Sequence, residues 1–320
     1  MTGRPWHAPK VFVAHTAMAA DLLPHLAPVP AEQLAPALPG LPASRLGEVE
    51  VLIGQHFPER SLPLLPNLRW LHLTGTGTDH LAAAGLAPGT LVTTSARVPA
   101  EPVAEYALSA LLMLLKDLST LSARPQRRPW YASSATMLSG STVLVVGAGR
   151  IGRAVLRRLG ALGARSVAVT RTGQVAVPEA DRTVGADRLA EAAADADHVV
   201  CCLPAAEGTR RLVGAAVFAA LRPGAVLVNV GRAATVDDEA LSEALETGAL
   251  RGAFLDVHHT EPLPADDLRW RTPNLVVSPH CAFAFPGEPA AVARTFKDNL
   301  DDLRAGRPAR DAVVVPLPHG

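Results

Sequence analysis

Short apolar runs, separated by breaks rich in proline and glycine, characterise the first part of the chain. Runs at 11–15, 49–54 and 68–75 have the continuous apolar character of buried strands. Helix signals are weak here, because prolines interrupt the segment from Pro24 to Pro42. The pattern predicts a small α/β unit whose loops carry ligand contacts.

From Ser141 onward, strand-like apolar runs alternate regularly with amphipathic helical segments. We predict strands at 141–147, 166–172, 198–204, 225–232, 252–258 and 274–280. Predicted helices fill most of the intervals, and strands that alternate with helices form parallel sheets. The second part of the chain is therefore predicted to be a doubly wound parallel sheet.

The longest uninterrupted helical pattern covers 101–122. Its apolar positions occupy most of the circumference, so we expect a buried helix that packs against a second subunit. The polar stretch 122–140 is predicted to be an extended loop. It contains Trp130, which is either an ordinary loop residue or one that reaches the neighbouring protomer's site. A last helix is predicted at 288–306.

Composition narrows the class of protein. A length of 320 residues suggests two domains, and 48% hydrophobic against 19% charged residues indicates a folded globular chain. Lysine plus arginine equals aspartate plus glutamate, at 30 each, so we expect neither nucleic acid nor an anionic membrane as a partner. No apolar run reaches the ~18 residues of a membrane span, and no signal peptide is apparent. Cys201, Cys202 and Cys281 suit a reducing compartment, so we expect a cytoplasmic protein.

A glycine-rich turn follows the first strand of the regular part. In VLVVGAGRIGRAV the glycines form a G-x-G-x-x-G between a strand and a helix. The first glycine permits a tight turn, the second lets the backbone approach a pyrophosphate, and the third lets helix and strand pack closely. Free N–H groups at the helix start meet the phosphates. The predicted dinucleotide contacts here are Gly147, Gly149, Arg150, Ile151 and Gly152.

The end of the next strand indicates which dinucleotide is bound. A carboxylate normally holds the adenosine ribose hydroxyls at this place. This chain has Val169, Thr170, Arg171 and Thr172 there instead. No carboxylate repels a 2′-phosphate, Arg171 can pair with one, and the two threonines can donate hydrogen bonds. We therefore favour NADP(H), while NAD(H) stays possible if Arg171 is simply a solvated surface residue.

Three polar residues follow the ends of successive predicted strands: Arg232, Glu261 and His280. Ligands bind outside the carboxyl ends of strands in open α/β sheets. Hydride delivery to a ketone builds negative charge on oxygen, and a histidine, with a reference pKa of ~6.5, is a suitable proton donor. A neighbouring carboxylate favours the charged imidazole, and a guanidinium can hold a substrate carboxylate. The set predicts reduction of a 2-keto acid.

Several segments together resemble the D-isomer-specific 2-hydroxyacid dehydrogenase family along essentially the whole chain. They are GAGRIG, LP with Thr209 downstream, VNVGRAATVDDEAL, LDVHHTEPLP and SPHCA. The resemblance implies that Arg232 binds and polarises the substrate, Glu261 pairs with the histidine and His280 is the acid–base residue. It also places Asp256 at the nicotinamide end of the cofactor. Further cofactor contacts implied by the resemblance are Leu203, Pro204, Thr209 and Val230.

The family's architecture implies a Rossmann-type dinucleotide-binding domain at 98–286. That domain is inserted in a smaller flavodoxin-like α/β substrate domain, made of 1–97 and 287–320. Members are usually homodimers joined through the cofactor domain, so a homodimer is expected.

Candidate substrate contacts lie in the first part of the chain. LTGTGTDHL matches the family's glycine turn, in which the N–H groups of Thr76 and Gly77 would receive the substrate carboxylate. Gln55, His56 and Arg97 are either further substrate contacts or ordinary loop residues.

We therefore expect an oxidoreductase that transfers hydride between NADP(H) or NAD(H) and a small 2-keto acid or D-2-hydroxy acid. Glyoxylate or hydroxypyruvate is the generic substrate, and a keto acid with a second anion is an alternative. Two other functions stay open: a dinucleotide-sensing interaction protein of corepressor type, and oxidation of a phosphorus-containing anion. Ala233 stands where the family has glycine, which questions the placement of Arg232. The pair His258–His259 lacks further ligands at zinc spacing, so no metal site is predicted.

Overall fold

The structure is a computed structural model of the protein. It describes residues 6, 9–14, 18–34, 38, 40–122 and 135–315. The chain forms two compact units, a first one of Met1–Pro99 with Ala284–Gly320 and a second one of Ala100–Phe283. Each unit is built on its own parallel sheet.

The regular elements follow the chain in order. The strands are β1 (Val11–Ala14), β2 (Ala31–Gln33), β3 (Val51–Gly54), β4 (Trp70–Leu73), β5 (Leu91–Thr94), β6 (Thr142–Val146), β7 (Arg165–Thr170), β8 (Arg182–Gly185), β9 (His198–Cys201), β10 (Ala225–Asn229), β11 (Leu250–Leu255) and β12 (Leu275–Val277). The α-helices are α1 (Ala19–Leu26), α2 (Ala43–Leu46), α3 (Ala100–Leu115), α4 (Leu118–Ser122), α5 (Arg150–Ala161), α6 (Leu189–Ala193), α7 (Ala215–Ala220), α8 (Asp238–Glu246) and α9 (Glu288–Arg304).

The first unit has a five-stranded parallel sheet in the order β2-β1-β3-β4-β5. The three strands predicted from apolar runs are all present, as β1, β3 and β4. Trp70 in β4 is fully buried and stacks on Phe296 of α9, with ring centroids 4.6 Å apart. Helix α1 forms although it contains Pro24, since it buries one face through Leu22 and Leu26. Tertiary packing thus overrides weak local propensity.

The second unit has a seven-stranded parallel sheet in the order β12-β11-β10-β9-β6-β7-β8. The chain starts in the middle at β6, moves outward to β8, and returns to the other side of β6 with β9. This is the doubly wound arrangement predicted from the sequence, with a topological switch point between β6 and β9. Leu144, Val199 and Leu227, on adjacent strands, are 0% exposed and lie in its core.

The prediction of one long helix at 101–122 is wrong in one respect, because two helices occupy this segment. Helix α3 ends at Leu115, Asp117 has a φ of +57°, and α4 starts at Leu118. Aspartate is one of the residues that tolerate the left-handed region, so the chain turns there without a glycine. The loop predicted at 122–140, with Trp130, lies mostly outside the described residues. Among the described helices, none combines the length and apolar character of a membrane span.

Candidate active site

The glycine loop connects β6 to α5. Gly147 has a φ of +99°, in the left-handed region that favours glycine. A Cβ on Gly152 would overlap the carbonyl oxygen of Gly147, so no larger residue fits this crossing of helix and strand. Gly149 precedes α5, and no side chain caps the start of this helix. The first turn of α5 begins with exposed Arg150 and half-buried Ile151. The helix start therefore offers N–H groups to an anion.

The turn after β7 carries the residues predicted to select the cofactor. Thr170 ends the strand, and its Oγ1 accepts a hydrogen bond from the N–H of Gly173 at 3.0 Å. Arg171 and Thr172 are both exposed. The turn places a guanidinium and two hydroxyl groups at the carboxyl end of β7, with no acidic side chain between Val169 and Gly173.

Glu261 and His280 form a hydrogen-bonded pair. His280 Nδ1 lies 2.7 Å from Glu261 Oε2, and Glu261 Oε1 accepts the backbone N–H of His258 at 2.8 Å. Burial alone would raise the pKa of the Glu261 carboxyl, but the hydrogen bonds from His280 and His258 outweigh it and hold that pKa below its usual range. The His280 side chain keeps 36% of its surface exposed, and its contact with Glu261 uses Nδ1 rather than Nε2.

A buried aspartate holds the loop that carries His280. Asp256 Oδ1 accepts hydrogen bonds from Ser278 Oγ at 2.6 Å and from the Cys281 N–H at 3.0 Å, while Oδ2 accepts the Ala282 N–H at 3.1 Å. Asp256 is 2% exposed. This carboxylate thus holds the Ser278 side chain before His280 and two backbone N–H groups after it. The contact with nicotinamide that the resemblance implies stays a prediction.

Arg232 follows β10 in a backbone segment that buried polar side chains hold. The carbonyl of Arg232 accepts from Asn229 Nδ2 at 3.2 Å and from Thr235 Oγ1 at 2.6 Å, and Asn229 Oδ1 accepts the Gly231 N–H at 3.0 Å. Neither Asn229 nor Thr235 was predicted from the sequence. The asparagine in the apolar run AVLVNVG is the one feature that indicates a polar side chain holding the backbone at this strand end. Ala233 does not have a positive φ, so its backbone conformation does not require the glycine that the family has there.

The predicted cofactor loop after β9 is joined to this segment. Thr209 Oγ1 donates to the Pro204 carbonyl at 2.8 Å and closes the loop. Arg211 binds Asp237 through two 2.8 Å hydrogen bonds, and its N–H donates to the Ala234 carbonyl at 2.8 Å. The loop that begins at Leu203 therefore has a fixed position relative to the Arg232 segment; buried Val230 lies just ahead of Arg232.

The glycine turn of the first unit has its own support. Gln55 Oε1 accepts the Gly75 N–H at 2.6 Å, and Gln55 Nε2 donates to the Gly77 carbonyl at 3.3 Å. Thr76, between these glycines, is exposed. The side chain of Gln55 thus shapes the turn. His56 lies at the strand end beside His80, with ring centroids 6.0 Å apart.

Arg97 has a different environment from the one expected of a substrate contact. Its guanidinium binds Asp311 at 2.9 and 3.1 Å and Asp298 at 3.1 Å. These carboxylates, in α9 and the segment after it, neutralise its charge. The guanidinium of Arg97 is thus engaged by carboxylates of its own unit, and its contact with a substrate stays a prediction.

Metal-ligating side chains do not converge in the described part of the chain. No group of three or more histidine, cysteine, aspartate or glutamate residues there has the geometry to hold a metal ion. His259 instead pairs with Asp238, with 3.4 Å between Nε2 and Oδ2. His258 and its neighbour thus have separate partners.

Known proteins share this fold and these motifs. A family model described as "D-isomer specific 2-hydroxyacid dehydrogenase, NAD binding domain" matches residues 108–282. Glyoxylate/hydroxypyruvate reductase B of Citrobacter koseri is 31% identical over 304 residues, which are 91% of this chain and 90% of that protein.

Solved structures give the same result. A D-isomer specific 2-hydroxyacid dehydrogenase family protein from Aeromonas salmonicida has a TM-score of 0.83 and 29% identity, over 95% of this chain and 98% of that one. The D-isomer specific 2-hydroxyacid dehydrogenase of Xanthobacter autotrophicus, in complex with NADPH and MES, has a TM-score of 0.84 and 26% identity, over 96% and 98% of the two chains.

The fold and the comparisons together define a nicotinamide-dependent oxidoreductase. The chain belongs to the D-isomer specific 2-hydroxyacid dehydrogenase family. The resemblance drawn from its motifs and the predicted two-domain α/β fold are thereby confirmed.

Proposed function

We propose that this protein reduces a small 2-keto acid to the D-2-hydroxy acid with NADPH as the hydride donor. The observation that carries the proposal is the 2.7 Å contact between His280 Nδ1 and Glu261 Oε2, in the unit that also holds the glycine loop. This contact leaves Nε2 of the imidazole for the substrate. A paired histidine with one nitrogen accessible is what proton transfer to a carbonyl oxygen requires.

The glycine loop fits a nicotinamide dinucleotide, because Gly152 has no room for a Cβ and the start of α5 has no side-chain cap. When bound, the reduced cofactor supplies the hydride. His280 donates the proton from Nε2 as negative charge develops on the substrate oxygen. Glu261 stabilises the charged imidazole before that transfer. Arg232 binds the substrate carboxylate and polarises the adjacent carbonyl group.

The preference for NADPH rests on the turn after β7. Arg171 is exposed there, and Thr170 and Thr172 flank it with hydroxyl groups. A 2′-phosphate carries a negative charge that a guanidinium pairs with, whereas a ribose hydroxyl gains little from it. The Xanthobacter relative binds NADPH in its structure, which is consistent with this preference.

For the substrate, glyoxylate and hydroxypyruvate are the first candidates, since the Citrobacter relative carries both in its name. We also propose a homodimer that forms through the second unit. Three large apolar side chains are exposed around α4: Leu118 at 51%, Leu121 at 39% and Met137 at 68%. Exposed apolar surface of this kind marks subunit interfaces, and sedimentation of the purified protein tests this assembly.

The test of the proposed function is a panel of 2-keto acids assayed with NADPH and with NADH. We expect turnover of at least one small 2-keto acid, and a rate loss on the order of 10³-fold in His280→Ala with nearly unchanged NADPH binding. His259→Ala is the matched control, because this neighbouring histidine is exposed and pairs with Asp238 rather than with Glu261.

Two results would contradict the proposal. Undiminished turnover in His280→Ala would exclude the assigned proton donor. Tight NADPH binding without turnover of any keto acid would instead favour the dinucleotide-sensing function.

A further inference from the structure

His258 contacts both segments of the acid–base pair, namely the Glu261 carboxylate and the backbone that precedes His280. Its side chain is buried, with the residue 7% exposed. Its backbone N–H donates to Glu261 Oε1 at 2.8 Å, and its ring Nε2 lies 2.9 Å from the carbonyl oxygen of Ser278. Ser278 precedes His280 by two residues, so one histidine connects the strand end of β11 with the loop after β12.

The partner of the ring shows which nitrogen donates. A carbonyl oxygen can only accept, so Nε2 of His258 carries a proton and donates it to Ser278. Nδ1 is buried and has no hydrogen-bond partner within the described residues. A buried unpaired nitrogen destabilises the fold. An apolar ring would avoid that cost, so space filling alone does not account for an imidazole here.

The loop that His258 holds contains a residue with an uncommon backbone conformation. His280 has a φ of +52°, in the left-handed region that few residues other than glycine adopt, although histidine, like aspartate, is among the more tolerant residues. Its own N–H turns back to the Ser278 carbonyl at 3.0 Å. The Ser278 carbonyl thus receives both this N–H and the His258 ring. A sparsely populated backbone conformation persists only where surrounding contacts hold it.

We propose that His258 is a positioning residue, whose Nε2–H fixes the Ser278 carbonyl and thereby keeps the His280 imidazole in register with Glu261. The proposal rests on the proposed function of His280 as proton donor. Asp256 binds two backbone N–H groups after His280 and the Ser278 side chain before it, while His258 binds the Ser278 carbonyl. Loss of the His258 donor would leave that carbonyl with the His280 N–H as its one partner among the described residues.

Two substitutions separate hydrogen bonding from space filling. His258→Gln keeps an N–H donor of similar reach, whereas His258→Phe keeps a planar ring and removes the donor. Both retain the backbone N–H that binds Glu261. We expect His258→Phe to lower kcat about tenfold or more, since small displacements of a reacting group are costly, while the KM for NADPH stays within about twofold. His258→Gln should keep most of the wild-type kcat.

A second readout does not require turnover. In proton NMR spectra, the Nδ1 proton of His280 bound to Glu261 should give a downfield signal in the wild type and in His258→Gln, and lose it in His258→Phe. A Phe variant that keeps both kcat and this signal overturns the proposal, even if the wild type reduces keto acids as proposed. A wild type without any turnover contradicts the proposed function, and the NMR comparison then still tests the role of His258 in the pair.

Discussion

The two ends of the nucleotide-binding sheet differ in how firmly their functional groups are held. At β10 to β12, buried side chains such as Asp256 and Asn229 fix the backbone that carries Arg232 and His280. At β7, Arg171 is exposed in a short turn. Prearranged groups cost little reorganisation during the reaction, whereas an exposed side chain adjusts to its ligand. We call the region of β10 to β12 the rigid end and the turn after β7 the flexible end. Substitutions at the rigid end should therefore reduce the rate, and those at the flexible end should change cofactor choice.

Arg232→Lys tests the rigid end most severely. A lysine keeps the charge but loses the planar pair of donors that matches a carboxylate. We expect kcat/KM for the keto acid to fall by about 10²–10³-fold, the scale of losing a donor to developing negative charge. Arg210→Lys, at an exposed arginine of the nearby loop, is the control. Equal losses in both variants would mean that general surface charge, and not the planar pair of N–H donors of Arg232, binds the substrate.

Asp256→Asn tests whether the loop is held as the structure indicates. One carboxylate there accepts hydrogen bonds from Ser278, Cys281 and Ala282, and an amide cannot accept at both positions. Hydrogen bonds to a buried charged group contribute about 1.5–3 kcal/mol each. We expect the free energy of unfolding to fall by about 2–3 kcal/mol in chemical denaturation. The exposed Asp266→Asn should leave it unchanged, and a similar change in both variants would refute this account of the loop.

Glu261→Gln changes the pH dependence of the rigid end. The hydrogen bond from His280 helps to hold the pKa of Glu261 below its usual range, so the carboxylate stays ionised from neutral to mildly acidic pH. It stabilises the charged imidazole needed for reduction, and a neutral amide does not. We expect reduction to slow about 10–100-fold at neutral pH, and we expect the variant to lack the loss of rate that protonation of the Glu261 carboxylate causes in acid. A decline in acid that persists unchanged in Glu261→Gln would show that another group causes it.

The sequence anticipates the parts of the molecule that local pattern determines. Apolar runs locate β1, β3, β4 and most of the second sheet, and the glycine spacing locates the turn before α5. Strand β2 was not predicted, because Ala31–Gln33 is a short polar segment that forms a strand only by pairing with β1. The same holds for β8, which adds to the edge of the second sheet beside β7.

Long-range partners explain what the sequence conceals in the site. The local sequence around Arg97 gives no sign of its ion pair, because its partner Asp311 lies far along the chain. The sequence predicts no metal site at His258, and nothing in the local pattern shows that its ring meets the Ser278 carbonyl. The pair of Glu261 and His280, by contrast, could be expected, because parallel strands bring their carboxyl ends to one edge of the sheet.

Arg171→Ala is the mildest of these changes and tests the flexible end. The guanidinium is exposed, so pairing with a 2′-phosphate is partly screened by water and salt. We expect KM for NADPH to rise about tenfold, KM for NADH to stay within about twofold, and kcat to hold, because the acid–base pair is untouched. Arg165→Ala, at the opposite end of β7, is the matched control and should leave both KM values unchanged. Equal effects on the two cofactors would place the selecting group elsewhere, and a fall in kcat would show that the two ends of the sheet are not independent.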